Sequence, residues 1–417
     1  MKKKRFLNLC LKTINFFIPK IKRSIYLNLS LSSKNNYEDI INSSGNNRLK
    51  FVHDITAKEY VRPLHIFVEY FDDSRKDLYY ELARTAKEHN VYLKFVRACS
   101  DKKGFKKLKR EIIKYYFLFR CTIWAVGTGD TYFYGKTKKQ FIINFNYFIS
   151  CKNDLIPSDN YRWGFLDYVF TTSLLGSTVV SAQTGAKLDR CIELGFPRND
   201  SLFNTDKKQI ILNWIEQEIG FVPTKIIVYA PTYRDYEKNS KEEIHRELFG
   251  YRIPELESFL KKNHYCMICK LHNLTSKATI LLPKGVIFFK LSYDFSFYDL
   301  LAITDCLITD YSSVGYDYLL LNKPILYNLY DLDRYTKDRG MSYEPYIDFC
   351  PGEIVKNEAE MIKALNDFSN GLDSCVEKRQ RLMRLFHKYS DSQSTERTIK
   401  YFSDRFGFEY VDREKNN

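Results

Sequence analysis

Leu307-Ile308-Thr309-Asp310-Tyr311-Ser312-Ser313-Val314-Gly315-Tyr316-Asp317 reads as a short apolar strand, an acidic residue at its end, two serines on a tight turn and the start of a helix. The helix runs on through Tyr318, Leu319, Leu320 and Leu321. Asn322-Lys323-Pro324 stops it, and Ile325-Leu326-Tyr327 opens another strand. A strand, a helix of about ten residues and a second strand make a right-handed crossover, the repeating unit of a parallel sheet. Ser312 and Ser313 then fall at the helix N-terminus. Free N–H groups and the positive end of the helix dipole favour an anion there, most often a phosphate. An ordinary Ser N-cap has the same local sequence, so the rest of the chain must decide between the two.

Outward from this unit, apolar runs alternate with amphipathic stretches. On the N-terminal side, strands are expected at Leu64–Tyr70, Val91–Ala98, Thr122–Val126, Gln140–Phe148, Asp167–Thr172 and Cys191–Leu194. Ser74 can cap a helix with Leu78, Leu82 and Ala86 on one face. Gly195-Phe196-Pro197-Arg198-Asn199-Asp200 closes this set in a loop. A second set follows, with helices at Ile210–Glu218, Ile253–Lys262 and Phe297–Ala302 and strands at Lys225–Ala230, Tyr265–Lys270 and Val286–Leu291. Two consecutive βα sets predict two doubly wound, Rossmann-type α/β domains facing a cleft. The expected division is a basic lead-in over 1–60, an N-terminal Rossmann-like domain over 61–205, a C-terminal Rossmann-like domain over 206–390 and a helical tail over 391–417.

In open α/β sheets, ligands bind beyond the carboxyl ends of the strands. Three strands of the second set end in chemically capable turns: Thr232 with Arg234, Lys270 with His272, and Asp310 with Ser312 and Ser313. Together they offer cations, an imidazole and preorganised donors, the surface that a diphosphate needs as charge develops on a leaving phosphate. Taken singly, each has a plainer reading. Asp310 can cap the following helix, Arg198 can pin the interdomain loop to Asp200, and Asp317, one turn after Ser313, can brace the serine turn.

Composition narrows the class. The chain has 417 residues, enough for two or three domains, and 44% hydrophobic content, enough for large cores rather than a disordered chain. Its net charge of +14 implies an anionic partner. Lys102, Lys103, Lys106, Lys107, Lys109, Arg110 and Lys114, with Phe105, Leu108, Ile112 and Ile113 between them, make a basic amphipathic helix over 102–119. It suits anionic lipid headgroups or a polyanionic acceptor as well as it suits a solvated face. No recognition motif accompanies the charge, so nucleic acid fits poorly. No run of about 18 uncharged apolar residues occurs, so no spanning helix is expected. Met1-Lys2-Lys3-Lys4-Arg5-Phe6-Leu7 imitates a signal peptide, but Lys12, Pro19, Lys20, Lys22 and Arg23 break the apolar region. An interfacial anchor and a basic tail both fit it. The ten cysteines lie mostly in apolar runs, as buried thiols of a reducing compartment do. Cys266 and Cys269 form a lone CxxC with no second pair, and no metal site is expected.

The ordered series Gly195-Phe196-Pro197-Arg198-Asn199-Asp200, Tyr229-Ala230-Pro231-Thr232-Tyr233-Arg234-Asp235, Lys270-Leu271-His272 and Thr309-Asp310-Tyr311-Ser312-Ser313, followed by Asp317, Asn322-Lys323-Pro324-Ile325 and Pro351-Gly352, resembles the CDP-glycerol:poly(glycerophosphate) glycerophosphotransferase family over roughly residues 60–390. This is the family of teichoic-acid and capsule polymer enzymes. The resemblance implies a GT-B-like fold. No cofactor is expected beside the CDP-alcohol substrate. The resemblance implies attack by an acceptor hydroxyl on the β-phosphorus of a CDP-linked polyol, with CMP leaving. It implies a lipid-linked or polyanionic glycan acceptor and a peripheral place on the cytoplasmic face of the membrane. The basic run over 102–119 then offers Lys103, Lys106, Lys107, Lys109 and Arg110 as membrane or acceptor contacts. Carried over by residue, Ser312 and Ser313 hold the donor diphosphate and His272 contacts or protonates the donor phosphate. Arg198, Asp200, Thr232, Arg234, Lys270 and Asp310 shape the donor cleft, and Asp317 steadies the serine turn.

One departure stands out. The family carries a Trp-His-Gly-Thr-Pro segment whose His is the expected general base. Here residues 142–152, Ile142-Ile143-Asn144-Phe145-Asn146-Tyr147-Phe148-Ile149-Ser150-Cys151-Lys152, contain no His, Trp or Gly. Loss of a general base typically costs ~10²–10⁴ in rate. Asp130, Asp154 and Asp159 are the candidate substitutes. A different sugar-nucleotide or hexose-phosphate donor and a non-catalytic binding role are the alternatives that this departure opens.

Overall fold

The structure, a computed structural model, describes residues 65–70, 79–97, 117, 121–126, 140–144, 151, 166–184, 186–232, 234, 249–251, 253–271, 282–289 and 294–408. Two six-stranded sheets organise them. The first joins β1 (Ile66–Tyr70), β2 (Leu93–Arg97), β3 (Ile123–Val126), β4 (Phe141–Asn144), β5 (Tyr168–Thr171) and β6 (Cys191–Glu193) in the order β2-β1-β3-β4-β5-β6. The second joins β7 (Lys225–Tyr229), β8 (Tyr265–Cys269), β9 (Val286–Phe288), β10 (Cys306–Thr309), β11 (Ile325–Asn328) and β12 (Glu353–Val355) in the order β12-β11-β10-β7-β8-β9. Among the described residues every strand pairing is parallel.

Parallel sheets are covered on both faces, so their strands read as unbroken apolar runs. β8 (YCMIC) and β10 (CLIT) are buried at every residue. Val228, Leu307 and Ile308 have no exposed surface, and each contributes roughly 1.5–3 kcal/mol by burial. The second sheet has the strand order of dinucleotide-binding folds, which reverses between β7 and β10. The first has its reversal between β1 and β3.

The expected α/β architecture is present, with most elements trimmed at their ends. The crossover helix is α-helical only over Val314–Tyr318 and tightens to a 3-10 turn over Leu319–Leu321, ending on Asn322 at φ +49°. The loop expected at Gly195–Asp200 winds into a 3-10 turn over Pro197–Phe203. A helix at Leu174–Thr184 and the short strand β12 are additions to the sequence reading. The helix LLGSTVVSAQT carries no charge. Leu175 and Val179 pack against the core of the second domain while the rest covers β5 and β6, so it has no charged face for a periodicity search to find.

The last helix falls within the stretch expected as a helical tail. Ser394–Phe406 returns to the first domain, where Ile399 and Phe402 share a core with Ile66, Val68, Ile123 and Phe170. Among the described residues the chain passes from the first sheet to the second at 204–207 and returns at 387–393. Cys266 and Cys269 lie three residues apart on a strand, which sends them to opposite faces and into different core clusters. Burial pushes the Cys266 thiol up to about 12. Among the described residues no helix is long and apolar enough to cross a membrane. Apart from Phe117, the basic stretch 102–119 lies outside the described residues, as do residues 1–64.

Candidate functional site

The site forms at the carboxyl edge of β7 and β10, where the strand order reverses. Asp310, one residue beyond β10, is 1% exposed and turns its carboxylate toward β7. Its oxygens accept the Thr232 N–H at 2.8 and 3.0 Å and the Arg234 Nη1–H at 2.8 Å. Its own carbonyl accepts the Tyr346 hydroxyl at 2.8 Å, and Thr309 Oγ1 donates to the Ala230 carbonyl at 2.8 Å. Asp310 therefore staples two loops together; it does not cap the helix after the serines.

Arg234 extends the staple to a third strand. Its Nε and Nη2 donate to Asp331 at 2.7 and 3.2 Å, and its Nη1 also donates to the Thr232 carbonyl at 2.7 Å. The guanidinium lies 5.0 and 5.1 Å from the rings of Tyr311 and Tyr335, which stack on each other at 3.7 Å. The Tyr311 hydroxyl donates to Asp331 at 3.0 Å. Burial opposes the arginine's charge, but Asp310 and Asp331 more than offset this and its pKa is raised. With four hydrogen bonds in use and the rings of Tyr311, Tyr330 and Tyr335 beside it, Arg234 holds the loops after β7, β10 and β11 together. Asp331, Tyr311, Tyr335 and Tyr346 were not singled out from sequence. Asp331 had a signal, because it is the acidic residue three positions beyond β11, where the strand-end rule also applies.

Against this locked frame, the serines are open. Ser313 occupies the cap position of the Val314–Tyr318 helix, but its side chain makes no capping bond. Ser312 and Ser313 are half-buried, and among the described residues neither hydroxyl has a partner. The plain N-cap reading is therefore not what the geometry shows. Thr232 Oγ1 is likewise buried without a partner. Lys270, just past β8, is partly exposed and sets its ammonium 5.0 Å from the Phe297 ring. The arrangement gathers free hydroxyls and an ammonium on one sheet edge, a set able to bind phosphate oxygens.

Arg198 and Asp317 are brought together elsewhere. Arg198, in the 3-10 turn after β6, donates from Nε and Nη2 to Asp317 at 3.1 and 3.0 Å; the two residues are 6% and 1% exposed. The Tyr298 hydroxyl adds a 2.7 Å bond to the same carboxylate. Asp200 is not Arg198's partner. It accepts the backbone N–H groups of Ser394 and Thr395 at 3.0 and 2.8 Å, capping the returning helix. Burial pushes its carboxyl up to about 6, with the Thr395 and Ser394 hydrogen bonds pulling the other way. Both residues thus carry protein partners. His272, the membrane candidates Lys103, Lys106, Lys107, Lys109 and Arg110, and the substitute-base candidates Asp130, Asp154 and Asp159 lie outside the described residues. Of the departing segment, Asn144 is buried at the end of β4 and Cys151 is buried in the second domain's core.

Two parallel Rossmann-type domains, with a helix returning from the second to the first, define a GT-B-like protein. The chain belongs to the CDP-glycerol:poly(glycerophosphate) glycerophosphotransferase family, whose profile matches residues 64–403. It is 26% identical over 388 residues to a teichoic acid poly(glycerol phosphate) polymerase of Staphylococcus epidermidis, covering 86% of this chain and 52% of that one. It is 28% identical over 246 residues to a teichoic acid glycerol-phosphate transferase of Staphylococcus aureus, covering 58% and 61%. The match thus spans about half to three fifths of these relatives' lengths. Among solved structures, a variant of the wall teichoic acid polymerase TagF superimposes with a TM-score of 0.65 over 94% of this chain and 99% of that one, at 22% identity. That likeness concerns the fold.

Proposed function

We propose that the protein transfers a polyol phosphate, glycerol phosphate or ribitol phosphate, from a CDP-linked donor to a hydroxyl of a lipid-linked or polymeric cell-surface acceptor. The carrying observation is the pair of free hydroxyls on Ser312 and Ser313, set on a rigid frame at the strand-order reversal of a chain in this family. In this reading the serines and Lys270 bind the diphosphate, and Thr232 Oγ1 supplies a further hydroxyl. The acceptor oxygen attacks the β-phosphorus, a new P–O bond forms, the bridging P–O bond breaks, and CMP departs with the bridging oxygen. His272 contacts or protonates the donor phosphate. The acceptor proton passes to a base outside residues 142–152, with Asp130, Asp154 and Asp159 as the candidates. The basic residues between 103 and 110 face anionic lipid on the cytoplasmic side of the membrane.

The test is a donor screen. CDP-glycerol, CDP-ribitol and sugar nucleotides are incubated with enzyme and acceptor, CMP or other nucleotide release is followed, and products are weighed by mass spectrometry. CMP release from a CDP-polyol that disappears in His272→Ala and in Ser312→Ala with Ser313→Ala supports the reading; no release from any CDP-polyol refutes it. A second reading, a non-catalytic donor-binding member, is favoured by the missing histidine of residues 142–152. Calorimetric CDP-polyol binding without turnover would select it.

A further inference from the structure

The serine turn is free at its hydroxyls but held from behind, and the groups that hold it come from the domain interface. Asp317, one turn past Ser313, pairs with Arg198 at 3.0 Å, and Arg198 belongs to the turn that leaves the first sheet. The Tyr316 carbonyl accepts His387 Nε2–H at 2.8 Å. His387 lies where the chain returns to the first domain, flanked by bonds of 2.7 Å from Thr172 Oγ1 to the Phe386 carbonyl and from Lys388 N–H to the Thr172 carbonyl. Cys151, from the segment after β4, donates its thiol to the Tyr311 carbonyl at 3.5 Å, while its own carbonyl accepts the Ser342 N–H at 2.6 Å.

Positions 311, 316 and 317 bracket the two serines, and each is bonded to the segment after β4, to the chain returning to the first domain or to the turn that leaves β6. The residues so held bond back to the serine turn: the Asp317 N–H donates to the Ser313 carbonyl at 3.2 Å, and the Tyr316 N–H donates to the same carbonyl at 3.1 Å. A buried ion pair is weak evidence for stability, since replacing both partners by apolar groups is often neutral. Its attested use is to fix one geometry among several. Here the fixed geometry relates the first domain to the donor turn.

We propose that Arg198, Asp317, Tyr298, His387 and Cys151 form an interdomain joint that positions the serine turn, so that docking of the first domain and grip on the donor phosphate are coupled. These are positioning residues: none offers its charge to the ligand. The ligand half of this inference rests on the phosphotransferase reading; the mechanical half does not.

Backbone amide exchange on the full chain, read by mass spectrometry, tests the mechanical half without ligand. Arg198→Lys keeps the charge but loses the paired fork. Tyr298→Phe removes one hydrogen bond and is the milder variant should Arg198→Lys fold poorly. Both changes are expected to speed exchange over residues 312–318, by roughly tenfold in Arg198→Lys and less in Tyr298→Phe. The amides of β7 and β8 should stay at wild-type rates. Unchanged exchange over 312–318, or an equal rise across the whole second domain, overturns the proposal. CMP titrated into the same proteins should bind more weakly in the order of their exchange rates. Wild-type affinity in a variant with a loosened turn overturns the coupling. A wild-type chain that binds no CMP sinks the phosphotransferase reading instead, and the exchange data still judge the joint.

Discussion

Replacing Arg234 by Ala separates a brace from a ligand contact. The side chain is 5% exposed and sits between the carboxylates of Asp310 and Asp331, themselves 2% and 8% exposed. Removing the guanidinium leaves two buried carboxylates without their shared cation, and breaking a buried pair from one side costs about 3–5 kcal/mol. Loss of the contacts with Tyr311 and Tyr335 adds about 1 kcal/mol. The sum, roughly 4–6 kcal/mol, rivals the whole stability of a modest domain. Urea unfolding followed by fluorescence in a background with Trp124 and Trp163 replaced by Phe leaves Trp214, whose ring packs 5.4 Å from Phe295, to report on the second domain. Arg234→Lys should recover only part of the loss, because one ammonium cannot reproduce bonds to two carboxylates and a carbonyl. A loss below about 1 kcal/mol in Arg234→Ala would mean that the arginine is solvated and available to a phosphate, and the brace would have to be abandoned.

Three further outcomes are expected. A methyl on Gly315 would collide with the Tyr327 hydroxyl and press on Thr309, so Gly315→Ala should cost about 1–3 kcal/mol. That hydroxyl is buried without a partner, so Tyr327→Phe should cost little by itself and recover about half the loss in the double variant; strictly additive urea midpoints would argue against the contact. His65 accepts the Tyr92 N–H on Nδ1 at 3.0 Å, and burial lowers its pKa from 6.5 to about 4. The neutral ring is favoured on folding, so its contribution is complete above pH 6.5 and fades as pH falls toward 4. The change is roughly 2 kcal/mol once partial exposure is discounted, and His65→Asn should flatten that limb of the stability profile. Ser312→Ala and Ser313→Ala should each weaken CMP binding several-fold with wild-type unfolding midpoints, since neither hydroxyl supports the fold; a drop in stability would return them to the role of caps.

Local chemistry made much of this molecule readable from its sequence. Both faces of a parallel sheet are covered, so KIIVY, YCMIC and CLIT announced themselves as strands by their lack of alternation. Spacing then placed Thr232, Lys270 and Ser312 at strand ends. The family motifs pointed to the donor side, and the family itself was legible in their order. Element ends were read less well, as with the crossover helix that tightens after Tyr318, because hydrogen bonding at a terminus depends on what packs there.

What the sequence could not decide was which charges were spoken for. Arg198, Arg234, Asp200 and Asp310 look alike on the page: charged residues in polar turns. Their partners lie 119, 97, 194 and 78 positions away, at Asp317, Asp331, Ser394 and Thr232. An ion pair in a low-dielectric interior depends on distance and burial, and neither follows from position along a chain. The uncharged helix Leu174–Thr184 and the return of Ser394–Phe406 to the first domain belong to the same class, since each is stabilised by surfaces that only the assembled domains present. The two serines could be found from Leu307–Asp317 alone. That their hydroxyls remain free, on a turn held by both domains, is a property of the tertiary structure.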